Sequence, residues 1–302
     1  MNAVENRPRE VYLDILKGLA MLLVVMQHVG GALDAGMAFM CKVDVPLFFV
    51  VSGYLAMKPR IHFFTEMKKK TWRIAIPFVA ALLFAAFWYK MNVTEVLFDI
   101  GKCGYWFLQC LYLFFIIFYA LHKMGMRYLI ATGCVVEVVL LALTKFLPDQ
   151  IDGLVGVSYM SRYFPCFIAG ACIKHYKIGS LSRFVGTMLV LVACVGFTYN
   201  SSNTNLDFLL HVAAYLGAAV TVFYFLKSIH IPKIVASLFS YVGRHSLSVY
   251  ILHFYFVQHL PHFTDYFLFN LVTTLAISLV VIALSLALEK ILVSMTYINK
   301  IL

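Results

Sequence analysis

The chain has 302 residues, of which 63% are hydrophobic and only 13% charged, with a mean hydropathy of +0.89. Those values exclude a soluble globular domain, where about a quarter of the residues are charged, and they exclude disordered and collagen-like chains as well. The net charge of +10 would suit a nucleic-acid binder only if the cations were gathered into one patch, and they are not.

Apolar segments of helix length run over about 11–30, 43–57, 72–90, 105–121, 127–147, 158–173, 184–200, 207–226, 240–258 and 267–294. The pattern predicts an all-α, polytopic membrane protein, a bundle of about ten transmembrane helices lying in a lipid bilayer. The second and sixth segments are short for a full crossing of about 20 residues. Residues 1–9 are polar and carry no cleavage pattern, so the first span is expected to stay and act as its own insertion signal. With the N-terminus inside, eighteen lysines and arginines fall on the cytoplasmic segments and five, Lys42, Lys90, Lys102, Lys145 and Arg162, on the other side. That imbalance predicts both termini in the cytoplasm. No linker, repeat or low-complexity tract interrupts the chain, so residues 1–302 read as one integral domain with no nucleic-acid partner.

The first span, YLDILKGLAMLLVVMQHVG from Tyr12 to Gly30, carries three ionisable side chains. Lys17 and His28 are eleven residues apart, which puts them within about 20° on one helical face and about 16 Å apart along the axis. Asp14 lies one turn before Lys17 and can pair with it. Charges inside a span must face a partner or a wet cavity, so this face reads as the lining of a site; a snorkelling Asp/Lys pair with a hydrogen-bonded core histidine is the plainer alternative.

Further along, VPLFFVVSGYL offers Ser52 and Gly53 for close helix approach. The run KKKTWRIAIP puts Lys70 and Arg73 on one face at the cytoplasmic rim, suited to phosphates or to anionic headgroups. Trp106 opens the fourth span, and Gln109 one turn in has an amide to offer a substrate. Glu137 is set among valines and leucines, where it needs a partner or a proton. Arg162 faces either acceptor hydroxyls or a salt bridge to Asp149 or Asp152. In SYVGRHSLSVYILHFYF, Ser246, Tyr250 and His253 share a face at i, i+4 and i+7. His259 and His262 form an HxxH without a third ligand, and the seven cysteines form no CxxC pair, so no metal is expected.

Taken in order, Y-L-D-I-L-K-G-L-A with His28, V-P-L-F-F-V-V-S-G-Y-L, R-I-A-I-P, Y-W-F-L, F-P-C-F-I-A-G and G-R-H-S-L-S-V-Y-I-L-H resemble the motifs of the acyltransferase-3 family, integral membrane enzymes that typically O-acetylate surface carbohydrates. The resemblance covers nearly the whole chain. It implies a bacterial inner-membrane O-acetyltransferase that takes acetyl-CoA as acyl donor, uses no metal, and modifies an envelope glycan or glycolipid. The family's paired arginine and histidine on the first helix match Lys17 and His28, with lysine keeping the charge but not the planar fork of arginine. Under this reading His28 is the general base, matched to neutral pH, and Lys17 is its catalytic companion. Asp14, Lys70 and Arg73 bind the donor, while Trp106, Glu137, Arg162, Ser246, Tyr250 and His253 serve the acceptor or line the pore. A covalent acyl-histidine is an alternative route. A transporter or flippase of envelope precursors would also use buried charges, although the duplicated halves common in transporters are not found.

Overall fold

Eight of the ten apolar segments fold as helices close to their expected bounds in the computed structural model, which describes residues 10–29, 42–58, 61–122, 128–199, 203–257 and 267–298; no strand occurs among the described residues. The helices are α1 (Val11–Val29), α2 (Asp44–Ala56), α3 (Phe63–Lys70), α4 (Ile76–Trp88), α5 (Val93–Phe98), α6 (Trp106–His122), α7 (Leu129–Phe146), α8 (Asp149–Val155), α9 (Val157–His175), α10 (Arg183–Thr198), α11 (Thr204–Ser228), α12 (Lys233–Arg244), α13 (Ser246–Val257) and α14 (Phe267–Ile298). Among the described residues, five helices are long and apolar enough to cross a membrane: α1, the continuous helix Phe63–Trp88 that joins α3 and α4 through the turn Thr71–Ala75, α7, α11 and α14.

Two segments differ from expectation. The run 240–258 is broken at His245 into α12 and α13. The residue leaves helical geometry with φ −101° and ψ 13°, and its ring turns to the Glu289 carboxylate at 2.9 Å. The third segment begins well before 72, because the helix starts at Phe63 and passes through a π-helical turn, Thr71–Ala75, before α4. The threonine closes that turn: its hydroxyl donates to the Met67 carbonyl at 2.9 Å and meets the Tyr112 hydroxyl at 2.8 Å.

The chain divides into two compact units, Met1–Asp44 with Phe225–Leu302, and Val45–Tyr224. In the first unit, α1 packs on α12, α13 and α14. The α1–α12 crossing is backbone on backbone. A Cβ on Gly18 would lie 2.0 Å from the Phe239 carbonyl oxygen, and one on Gly243 would lie 1.8 Å from that of Asp14, so only glycine fits on either side. The buried face of α14 carries Asn270, Thr274, Ser278 and Ser285. Ser278 and Ser285 return their hydroxyls to carbonyls one turn back, Thr274 and Val281, the usual way for a hydroxyl to survive in an apolar setting.

The second unit repeats the device. A Cβ on Gly53 would sit 1.8 Å from the Phe167 oxygen and one on Gly170 1.9 Å from that of Val50, so α2 and α9 cross in contact, as the Ser52–Gly53 pair suggests. Phe49 fills the space beside this crossing, 4.9 Å from Phe107 and 5.0 Å from Phe114, and Phe167 packs on Phe115 and Phe118. Such aromatic pairs add to plain burial.

Gly243→Ala is therefore expected to lower the thermal stability of the detergent-solubilised protein by an amount in the overpacking range of about 1–3 kcal/mol. Gly186→Ala, whose added Cβ meets nothing within 4 Å, is expected to be neutral or mildly stabilising because alanine favours helix. Melting curves of the two variants check both.

Candidate active site

On α1 the Lys17 ammonium lies 2.7 Å from the Asp14 carboxylate, an i,i+3 ion pair in which the lysine side chain keeps 21% of its surface exposed and the aspartate 6%. The pairing read from the spacing is present. Because Gly243 abuts the Asp14 carbonyl, this turn of α1 is fixed by α12.

His28 lies three turns further along α1. Its Nδ1 is 2.7 Å from the Val24 carbonyl oxygen. A carbonyl accepts, so Nδ1 carries the hydrogen, and in the neutral ring Nε2 keeps its lone pair. The side chain is exposed. That is the state a general base requires: neutral, oriented by its far nitrogen, and open at the near one.

Two rings of α13 frame it. His253 stands 5.1 Å from His28 between ring centroids at 72°, and Phe254 stands 4.7 Å away at 79°. His253 is fully buried. Its Nδ1 serves the carbonyls of Val249 and Tyr250 at 3.1 and 2.8 Å, and its Nε2 is buried with no hydrogen-bond partner among the described residues. Tyr250 is buried with its ring 5.8 Å from His253, and Ser246 starts the same helix, half-buried. His259 and His262 lie outside the described residues.

In the second unit, Lys70 and Arg73 do not share one environment as their spacing suggests. The Lys70 ammonium sits 3.6 Å over the Phe115 ring, whereas Arg73, within the π turn, is exposed. Beside them Glu66, buried, pairs with Lys58 at 2.5 Å and Lys69 at 3.2 Å. These residues make a predominantly cationic turn with one internal acid.

Trp106 stacks on Tyr159 at 4.1 Å and 13°, and beside Tyr163 at 5.3 Å and 22°. Tyr159 and Tyr163 are one turn apart on α9, so the indole lies across both. Gln109 is not free for a substrate through its amide hydrogens, which go to the Leu154 and Val155 carbonyls at 2.7 and 2.8 Å. Arg162 makes no ion pair among the described residues. Asp152 is engaged instead by the Ser158 amide and hydroxyl, and the arginine Nε is buried without a partner. Glu137 likewise has no ion pair among the described residues and one orphaned oxygen.

Sequence reasoning missed three features. The His245–Glu289 pair was signalled only by Glu289 continuing the polar face of α14 four residues after Ser285. Tyr159 beneath Trp106 had no local signal. The buried Lys102 closes the loop before α6 by donating to the Leu97 and Asp99 carbonyls at 2.6 and 2.7 Å and to that of Gly153. Burial pushes its amine down from its ordinary value, against the pull of Asp99. Lys102 and Cys103 both take left-handed backbone, φ 49° and 52°, which disfavours side chains by about 1–2 kcal/mol per residue.

A family model described as an acyltransferase domain, acyltransferase-3, matches residues 10–290. No curated protein matches the chain.

Lys102→Met is expected to reduce stability by about 1–3 kcal/mol, the effect of stranding buried carbonyls, and Cys103→Gly to raise it slightly. Differential scanning fluorimetry of the solubilised protein separates the two.

Proposed function

The chain belongs to the acyltransferase-3 family, and we propose that this membrane acyltransferase is an O-acetyltransferase that moves an acetyl group from cytoplasmic acetyl-CoA to a hydroxyl of an envelope glycan or glycolipid. The observation that carries the reading is His28: an exposed imidazole at the end of an apolar helix, with Nδ1–H held by the Val24 carbonyl and the Nε2 lone pair unspent.

In the reaction, His28 Nε2 takes the proton of the acceptor hydroxyl as its oxygen attacks the thioester carbon. The carbon–sulfur bond breaks, and the proton passes from His28 to the departing thiolate. Lys17, steadied by Asp14, is a cation about 16 Å from His28 on the same helical face. That span is on the scale of a pantetheine arm, so the donor extends from a basic rim toward the base. Lys70 and Arg73, with Lys58 and Lys69 in their own unit, are assigned to the donor's phosphates. On the acceptor side, the Trp106–Tyr159 stack offers a flat apolar surface for the carbon face of a sugar ring, and Arg162 has an unspent donor for its hydroxyls or acidic groups. Ser246, Tyr250, His253 and Glu137 are assigned to the acceptor side or the pore wall.

The same reading gives the chain ten spans, both termini in the cytoplasm, one integral domain over residues 1–302 and a place in a bacterial inner membrane. The support is the distribution of lysine and arginine together with the apolar helices.

Mass analysis of envelope glycans from cells with and without the gene tests the activity. Lys17→Arg is expected to retain acetylation and Lys17→Ala to lose most of it, because the position needs a cation. His28→Ala is expected to fold and to keep at most about one per cent of the rate, general-base assistance being worth about 10²–10⁴. Its wild-type pH profile has a rising limb set by one group. A folded His28→Ala protein working at a large fraction of the normal rate would contradict the assignment. Topology is checked separately: a cysteine placed near Lys68 is expected to resist an impermeant thiol reagent added outside intact cells, and ready labelling would reverse the orientation.

A further inference from the structure

We propose that His253 is a positioning residue for the base: an imidazole that stays uncharged through the cycle and steadies the positive charge that forms on His28. The inference rests on the acyl-transfer reading above. Taking the hydroxyl proton turns His28 into an imidazolium, with Nδ1–H still on the Val24 carbonyl. A cation formed among apolar helices requires a counter-group. Among the described residues, the carboxylates of α1 and α14 do not supply one beside it. Asp14 is paired to Lys17 about four turns away on α1, and Glu289 is engaged by His245 near the far end of α14.

What does stand beside His28 is His253, with its ring centroid 5.1 Å distant and Phe254 completing the corner at 4.7 Å. The tautomer of His253 is fixed as firmly as that of His28. Its Nδ1–H is shared by two carbonyls, so in the neutral ring Nε2 is the lone-pair nitrogen, and that atom is buried with no hydrogen-bond partner among the described residues. A buried, unanswered acceptor is normally eliminated from a structure. Here it lies next to the one ring that gains a donor during the reaction. Once His28 Nε2 is protonated, the His253 lone pair faces a cation, directly or through one water, and the Phe254 ring adds its π surface. His253 does not exchange a proton with the substrate: the proton travels from hydroxyl oxygen to His28 Nε2 and on to the thiolate sulfur, and His253 returns unchanged.

The test is steady-state kinetics of the purified full-length protein in detergent or proteoliposomes, following thioester consumption with acetyl-CoA and extracted envelope glycan. His253→Phe keeps an aromatic ring but removes the lone pair. It is expected to lower kcat on the order of tenfold, as the loss of one electrostatic contact does, with KM for both substrates little changed. His253→Gln, which restores an acceptor atom, is expected to recover part of the loss. A purely structural role predicts the opposite order, with phenylalanine tolerated and glutamine harmful. Wild-type kcat in a folded His253→Phe protein, or no advantage of glutamine over phenylalanine, overturns the inference and leaves the acyl-transfer reading standing. A wild-type protein that consumes no thioester contradicts both. Nitrogen-15 NMR of histidine-labelled wild type extends the test to the case where neither variant folds: a non-protonated Nε2 on His253 at neutral pH supports the inference, and a protonated one overturns it.

Discussion

A polar side chain in an apolar helix must find its hydrogen bond close at hand, and several of the polar groups among the described residues do so within one turn of their own backbone. Thr71 returns to Met67, Ser278 to Thr274, Ser285 to Val281, and the two histidines do the same through Nδ1, His28 to Val24 and His253 to Val249 and Tyr250. For a hydroxyl the matter ends there. An imidazole has a second nitrogen on the opposite edge of the ring, so satisfying the first fixes the tautomer and aims the second away from the helix. The local rule that makes these residues tolerable in a membrane is thus the rule that orients His28 for the role proposed for it.

Position depends on a second constraint, the contact of bare backbones. Without a strong hydrophobic drive between helices in lipid, close approach through small residues supplies the packing. Gly18 against Phe239 and Gly243 against Asp14 lock α1 to α12 around the Asp14–Lys17 turn. Gly53 and Gly170 perform the same service for α2 and α9 in the other unit, beside the phenylalanines that fill its core. The functional side chains proposed for donor and base therefore stand on elements whose separation a single added methyl group would change.

Local features were legible in the sequence and long-range ones were not. Hydropathy placed eight of the ten apolar segments as helices, spacing foretold the Asp14–Lys17 pair, and the small residues at Ser52–Gly53 marked a real crossing. The break at His245 escaped because Gly243 just before it reads equally well as a packing glycine, and the ring's partner, Glu289, is more than forty positions away. The π turn after Lys70 escaped because backbone register leaves no trace in composition. Of the two readings open for Arg162, the salt bridge does not form among the described residues, where Asp152 is engaged by Ser158. His28 and His253 were each singled out, yet their meeting depends on how α13 packs on α1, which periodicity within either helix does not encode.

The most direct measurement is transfer of a radiolabelled acetyl group from acetyl-CoA by purified protein in sealed vesicles, with donor confined to the face that carries Lys68 and envelope glycan to the other. Alkali-labile label on the glycan, with matching release of free CoA, is the predicted result. Vesicles that move glycan or release CoA without forming an ester on it would contradict an acyl transfer across the membrane.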